Sequence, residues 1–139
     1  MKPIIFWFDP ISPFACLAFE QPPQHIVCST DTIDYMPCRL PRVLNHWGQK
    51  GPAETPPKRA WTFRYVAWRA HELGVALHAP SVHPFNPLPL LRLCIAAGPN
   101  RRVVEALMRH VWRGGEDAGD AARIDALTRE LAPARDPSS

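Results

Sequence analysis

Apolar residues fall along the chain in short blocks separated by proline and glycine. Ile4 to Phe8 is an apolar and aromatic run, too short for a helix, and it predicts a buried strand. The run breaks at Asp9-Pro10, and Ser12-Pro13 then opens a helical stretch with Ser12 as N-cap and Pro13 as first helical residue. That helix is expected to stop near Gln21, because Pro22 and Pro23 cannot continue it. Thr32 to Met36 alternates about Ile33 and Tyr35 and predicts a second strand.

The remainder reads as helices between irregular segments. Pro37 to Pro57 is proline-rich and irregular, with one helical turn expected around Val43 to Trp47. A helix follows over about Pro57 to Leu73, with Trp61, Tyr65, Trp68 and Glu72 along one side and Gly74 placed to stop it. Its aromatic stripe is expected to face the core. Val75 to Pro84 is irregular again, and Asn86-Pro87 then caps a helix that Gly98 closes. Leu88, Leu90, Leu91, Leu93, Cys94 and Ile95 make that helix apolar on most sides, which predicts burial. Val103, Val104, Leu107, Met108 and Val111 stripe a helix over Arg102 to Trp112, expected to pack on the one before it and to end at Gly114-Gly115. Asp120 caps a last helix with Ile124, Leu127 and Leu131 on one face, and the proline- and serine-bearing end is expected to be disordered.

Composition narrows the function classes. With 139 residues, 46% of them hydrophobic, the chain can fill one core but would crowd two. The formal charge of +3 is small and the arginines are dispersed, which argues against nucleic-acid binding and favours a small acidic ligand. No apolar stretch is long enough for a signal peptide or membrane span, so the expected compartment is cytoplasmic, without membrane partners. Cys16, Cys28, Cys38 and Cys94 form no C-x-x-C pair and are expected to be reduced; Cys16 and Cys94 read as small buried residues. The histidines lack H-E-x-x-H spacing, and no metal is expected.

Local chemistry gathers at Ser12. A hydroxyl at a helix N-terminus lies among open N–H groups and at the positive end of the helix dipole, which favours an anion or thiolate, although Ser-Pro is also an ordinary helix start.

Several motifs in one register go further. Phe8-Asp9 to Ser12-Pro13-Phe14, His46-Trp47-Gly48-Gln49-Lys50-Gly51-Pro52-Ala53-Glu54, Pro56-Pro57-Lys58-Arg59-Ala60, His83-Pro84-Phe85-Asn86-Pro87-Leu88-Pro89-Leu90-Leu91-Arg92 and Arg109-His110-Val111-Trp112 together resemble the 2-hydroxychromene-2-carboxylate isomerases. These are relatives of DsbA and of the kappa-class glutathione transferases. The resemblance implies an α/β fold, mostly helical, with a thioredoxin-like (DsbA-like) β-α-β start over residues 1–38, a helical insertion over 39–132 and a disordered tail over 133–139. Members of that family continue into a strand pair preceded by a Val-Pro turn that pairs with glutathione, so the C-terminal strands of the thioredoxin domain are expected to be missing here. The exposed inner edge this would leave makes a homodimer one expectation. Residues 21 to 43 match the family least, with Pro41-Arg42 where small or apolar residues are usual.

The resemblance also implies a function: glutathione-dependent isomerisation of a small aromatic carboxylate, with glutathione as cofactor. Where thioredoxins carry C-x-x-C, this chain reads Ser12-Pro13-Phe14-Ala15, which argues against a DsbA-type oxidoreductase. Ser12 is the implied catalytic residue, donating to the glutathione sulfur, and Gln49 and Lys58 stand where relatives hold the tripeptide. Lys58 serves equally well as a solvated residue at a helix start. Trp47, Phe85 and Asn86 are candidates for the substrate pocket, with helix capping a sufficient role for Asn86. The alternative class is a non-catalytic remnant or helical interaction module.

Overall fold

The computed structural model describes residues 3–21 and 32–132. Strand β1 (Ile4–Phe8) leads through a tight turn into helix α1 (Pro13–Glu20), and β2 (Ile33–Pro37) lies parallel to β1. Their pairing runs in step from Ile4 opposite Ile33 to Phe8 opposite Pro37, and the Cys38 N–H extends the ladder to the Phe8 carbonyl at 2.8 Å. Five helices follow: α2 (Leu40–His46), α3 (Pro56–Glu72), α4 (Leu88–Ala97), α5 (Arg101–Trp112) and α6 (Ala121–Leu131), with a short 3-10 turn at Pro52–Glu54. Among the described residues no helix is long and apolar enough to cross a membrane.

The core is built around α5. Val103, Val104, Leu107, Met108, Val111 and Trp112 are almost wholly buried, and they pack with Phe8 of β1, Cys16 and Phe19 of α1, Leu90 and Cys94 of α4, and Leu127 and Leu131 of α6. Side chains spaced three and four apart can all point inward from one helix, so α5 packs against the sheet, α1, α4 and α6 in one core. Truncating Leu107 to alanine in such a site costs about 2–5 kcal/mol. The helix ends follow local chemistry. Asn100 Oδ1 accepts from the Val103 N–H at 3.0 Å, Asp120 Oδ2 accepts from the Arg123 N–H at 2.9 Å, and Gly98 stops α4 at φ 87°, a conformation side chains resist.

Three expectations are corrected. The aromatic stripe of α3 does not face the core: Trp61, Tyr65 and Trp68 are exposed, and Val66 and Ala70 on the opposite side pack against Leu17. Periodicity marks a stripe but does not say which stripe meets a neighbour. Helix α4 buries only its Leu90, Leu91 and Cys94 face and leaves Arg92, Ile95 and Ala96 in solvent, because α5 and α6 cover one side of it. Strand β1 is covered on one face, with Ile4, Phe6 and Phe8 inward and Ile5 and Trp7 outward. The helical turn expected near Val43 is a helix of 7 residues whose first turn accommodates Pro41. The tail over 133–139 and Cys28 lie outside the described residues, as do 22–31 of the poorly matching stretch.

Candidate functional site

Asp9 to Ser12 link β1 to α1, and nearly every polar group of this corner has a fixed partner. The Ser12 N–H donates to the Asp9 carbonyl at 3.0 Å, closing the turn. Asp9 is buried, and its carboxylate accepts twice: from the Ile11 N–H at 3.0 Å and from the Leu40 N–H at 2.8 Å. The second bond satisfies one of the open donors at the start of α2 with a negative group, where the helix dipole favours it. Burial pushes the Asp9 carboxyl above the ordinary range, while the two N–H donors and the Arg39 charge pull it back.

Two residues from the helical block hold the remaining carbonyls. Trp112 donates its indole N–H to the Pro10 carbonyl at 2.8 Å, and His83 Nε2 lies 2.9 Å from the Ile11 carbonyl. The other ring nitrogen, Nδ1, lies 3.4 Å from Nη1 of Arg59. Only the neutral ring protonated on Nε2 satisfies both contacts, since the carbonyl needs a donor and the guanidinium an acceptor. Burial and the Arg59 charge hold the His83 pKa below 6.5, against the carbonyl bond that raises it. Phe63 and Phe85 meet the His83 ring edge-on, at 5.1 and 6.1 Å between centroids, and the Arg59 guanidinium lies over Phe63 at 5.0 Å.

Ser12 itself caps α1, with Oγ accepting from the Ala15 N–H at 3.3 Å. That bond uses an oxygen lone pair and leaves the hydroxyl proton available to a ligand. Phe14, two residues on, is exposed and lies 6.0 Å from Tyr65 of α3. The thiol nearest in sequence, Cys16, is buried, and desolvation with the Glu20 charge pushes its pKa up to about 12.

The other sequence candidates stand apart from this frame. Gln49 follows α2 and is exposed, its N–H bonded to the Leu44 carbonyl at 2.9 Å. Lys58 is exposed in the first turn of α3, next to Arg59. Among the described residues no hydrogen bond joins Ser12, Gln49 and Lys58 to one another. Trp47 is exposed at the end of α2 with its ring against His46, and Phe85 is half-buried against the core with its ring against His83. Asn86 is exposed, and its Oδ1 accepts from the Leu88 N–H at 3.2 Å, but Pro87 and not Asn86 stands at the N-cap of α4, so the expected cap lies one residue off. A cleft of about 300 Å³ between α5 and α6, lined by Arg109, His110, Arg123 and Glu130 among others, contains none of the residues that touch the Ser12 corner. Among the described residues, no three His, Cys, Asp or Glu side chains gather as metal ligands.

Sequence reading missed Asp9, Arg59, His83 and Trp112 as positioning residues. Asp9 carried a usable signal, an acid immediately after a strand and three residues before a helix cap; the other three reach the turn only through tertiary packing.

Among solved structures, one described as a selenomethionine 2-hydroxychromene-2-carboxylate isomerase superposes with a TM-score of 0.78 at 20% identity, covering 94% of this chain. The chain spans 66% of that protein's length, and the likeness is one of fold. No curated protein sequence gives a significant match. A family model for the DSBA-like thioredoxin domain matches residues 3–135. The β1-α1-β2 start with its capped Ser12 corner, followed by the helical block, is therefore a DsbA-like thioredoxin fold, and the chain belongs to the DSBA-like thioredoxin domain family.

Proposed function

We propose that the chain acts on a small aromatic carboxylate as a glutathione-dependent isomerase of the 2-hydroxychromene-2-carboxylate type. The observation that carries this reading is the Ser12 hydroxyl at the N-terminus of α1, with its proton free to donate, in the segment where dithiol relatives carry C-x-x-C. Buried Cys16, with its raised pKa, is a poor substitute for a dithiol, so the corner is suited to holding a sulfur rather than supplying one. Glutathione, when bound, supplies the nucleophilic thiol. The chain's part is to donate from Ser12 Oγ to the sulfur and to favour the thiolate with the N–H groups and dipole of α1. Gln49 would donate an amide to the tripeptide backbone, and Lys58 would meet a carboxylate as a point charge. Trp47, Phe85 and the edge of Phe14 are the apolar groups available to an aromatic ring, with Asn86 at the margin.

A thermal melt by far-UV circular dichroism, with and without millimolar glutathione, tests the reading. A ligand bound only by the folded chain must raise the midpoint, and isomerisation of 2-hydroxychromene-2-carboxylate should then require both glutathione and Ser12. An unmoved midpoint sinks it.

A further inference from the structure

Arg59 is a cation that the fold brings to the Ser12 corner, and its charge meets no carboxylate among the described residues. Its Nη1 lies 3.4 Å from His83 Nδ1, and the other nitrogen of that ring lies 2.9 Å from the carbonyl of Ile11, the residue before Ser12. A single imidazole therefore separates the guanidinium from the backbone of the corner. The ion pairs among the described residues, Arg113 with Glu20 and Arg123 with Glu116, leave Arg59 out.

Its surroundings make that charge costly to leave alone. Arg59 is half-buried, its guanidinium stands over the Phe63 ring at 5.0 Å, and the adjoining His83 ring is met edge-on by Phe63 and Phe85. A cation partly withdrawn from water keeps a desolvation cost until an anion meets it. His83 does not supply that anion: its ring is neutral, and 3.4 Å is long for a hydrogen bond. The contact does fix where the guanidinium points. The remaining N–H groups of the planar fork stay open to a carboxylate, which accepts from such a fork in bidentate fashion.

Lys58 does not duplicate this position. Consecutive residues project about 100° apart around a helix, so exposed Lys58 and half-buried Arg59 face different ways from the first turn of α3.

We propose that Arg59 is the specificity-determining residue for the substrate, taking the carboxylate of the aromatic acid on a guanidinium stationed by His83 and Phe63. The identity of the acid rests on the isomerase reading above. The neighbouring rings assign Arg59 to the substrate rather than to glutathione. A planar acid whose carboxylate sits directly on its ring system keeps that system within reach of Phe63, His83 and Phe85, whereas the carboxylates of glutathione end flexible polar arms. The charges of the site are thereby divided, Lys58 serving the tripeptide and Arg59 the acid.

Isothermal titration of the 139-residue chain without glutathione tests the assignment, with chromone-2-carboxylate as an unreactive planar acid and its carboxamide as the neutral control. The acid should bind about tenfold or more tightly than the amide. Arg59→Gln should bring the acid down to the level of the amide, and Arg59→Lys should restore part of the preference, since a point charge replaces a fork. Arg109→Gln, at an exposed arginine of α5, should leave the preference as it is in the parent. The glutathione melt is read on the same variants, and Arg59→Gln should keep the parent's rise in midpoint. A parent that prefers the acid yet does not respond to glutathione keeps the Arg59 site and loses the isomerase reading. A parent without the preference overturns the proposal, as does an Arg59→Gln chain that retains it. Loss of the glutathione response in an Arg59→Gln chain that melts normally without ligand also overturns it, by giving the guanidinium to the tripeptide. Should Arg59→Gln fail to fold, Arg59→Lys decides: acid binding weakened several-fold with amide binding unchanged supports the assignment, and acid binding equal to the parent's overturns it.

Discussion

The Trp112 indole donates to the Pro10 carbonyl at 2.8 Å, although 102 residues separate the two in the chain. Both partners are buried, so water cannot replace either. Trp112→Phe removes the donor, strands the carbonyl and leaves a void where the second ring stood. We expect a loss of about 2–4 kcal/mol in urea unfolding with an unchanged denaturant slope. A change near zero would mean that the turn is held by other contacts alone.

Acid stability should fall as the pH drops below neutral through 6.5. Burial, with the nearby Arg59 and Arg123 charges respectively, keeps both His83 and His110 below the pKa of 6.5 they have when unfolded. As pH drops through 6.5 the unfolded chain takes up protons first, so stability decreases until the folded histidines titrate too. Asp9, held above 3.8 by burial, has the opposite sign, but its window lies around and just above that value. His83→Asn keeps a donor for the Ile11 carbonyl and cannot titrate, so its unfolding free energy should vary less steeply over this range. An identical slope in the variant would remove His83 from the account.

Ser12 has two separable duties. Ser12→Ala should cost about 1 kcal/mol of stability through the lost cap and should abolish the glutathione-dependent rise in melting midpoint. Ser12→Asp keeps a capping oxygen, so its melt without ligand should stay near the parent's, yet a carboxylate beside a thiolate should still prevent the shift. If Ser12→Asp responds to glutathione like the parent, the sulfur is not held at this hydroxyl.

Thiol labelling should sort the described cysteines by burial. Cys16 and Cys94, with pKa values pushed by burial up to about 12 and about 11, should stay unlabelled by a disulfide reagent near pH 8 until the chain unfolds. Half-buried Cys38 should label first in peptide mapping, though slowly, because burial and the Asp9 charge raise it as well. Early labelling of Cys16 would show that the α1 N-terminus opens.

Element positions were legible in the sequence because their causes are local. Pro13, Asp120, Gly74 and Gly98 start or stop helices with groups a few residues away, whereas the Asn100 cap went unread. The direction in which an element faces is not local. On α3 two lines of side chains, one through Val66 and Ala70 and one through Trp61 and Trp68, are both spaced for packing, and the smaller pair meets Leu17. The candidate site divides in the same way. Ser12 was found from its cap, whereas Arg59, His83 and Trp112 reach the corner only after α3 and α5 have packed, and no spacing in the chain encodes that meeting.

Asp9 ties the corner to Leu40 just beyond the end of β2, where the Cys38 N–H makes the last rung of the ladder on Phe8. A slip of one residue in the pairing of the strands would carry Leu40 about 3.3 Å along and out of reach of that carboxylate. The corner would then lose its anchor at the moment the sheet lost its alignment. Molecules with a misthreaded ladder therefore leave the turn before Ser12 untied, and a single aspartate serves the fold as a gauge of whether it was assembled correctly.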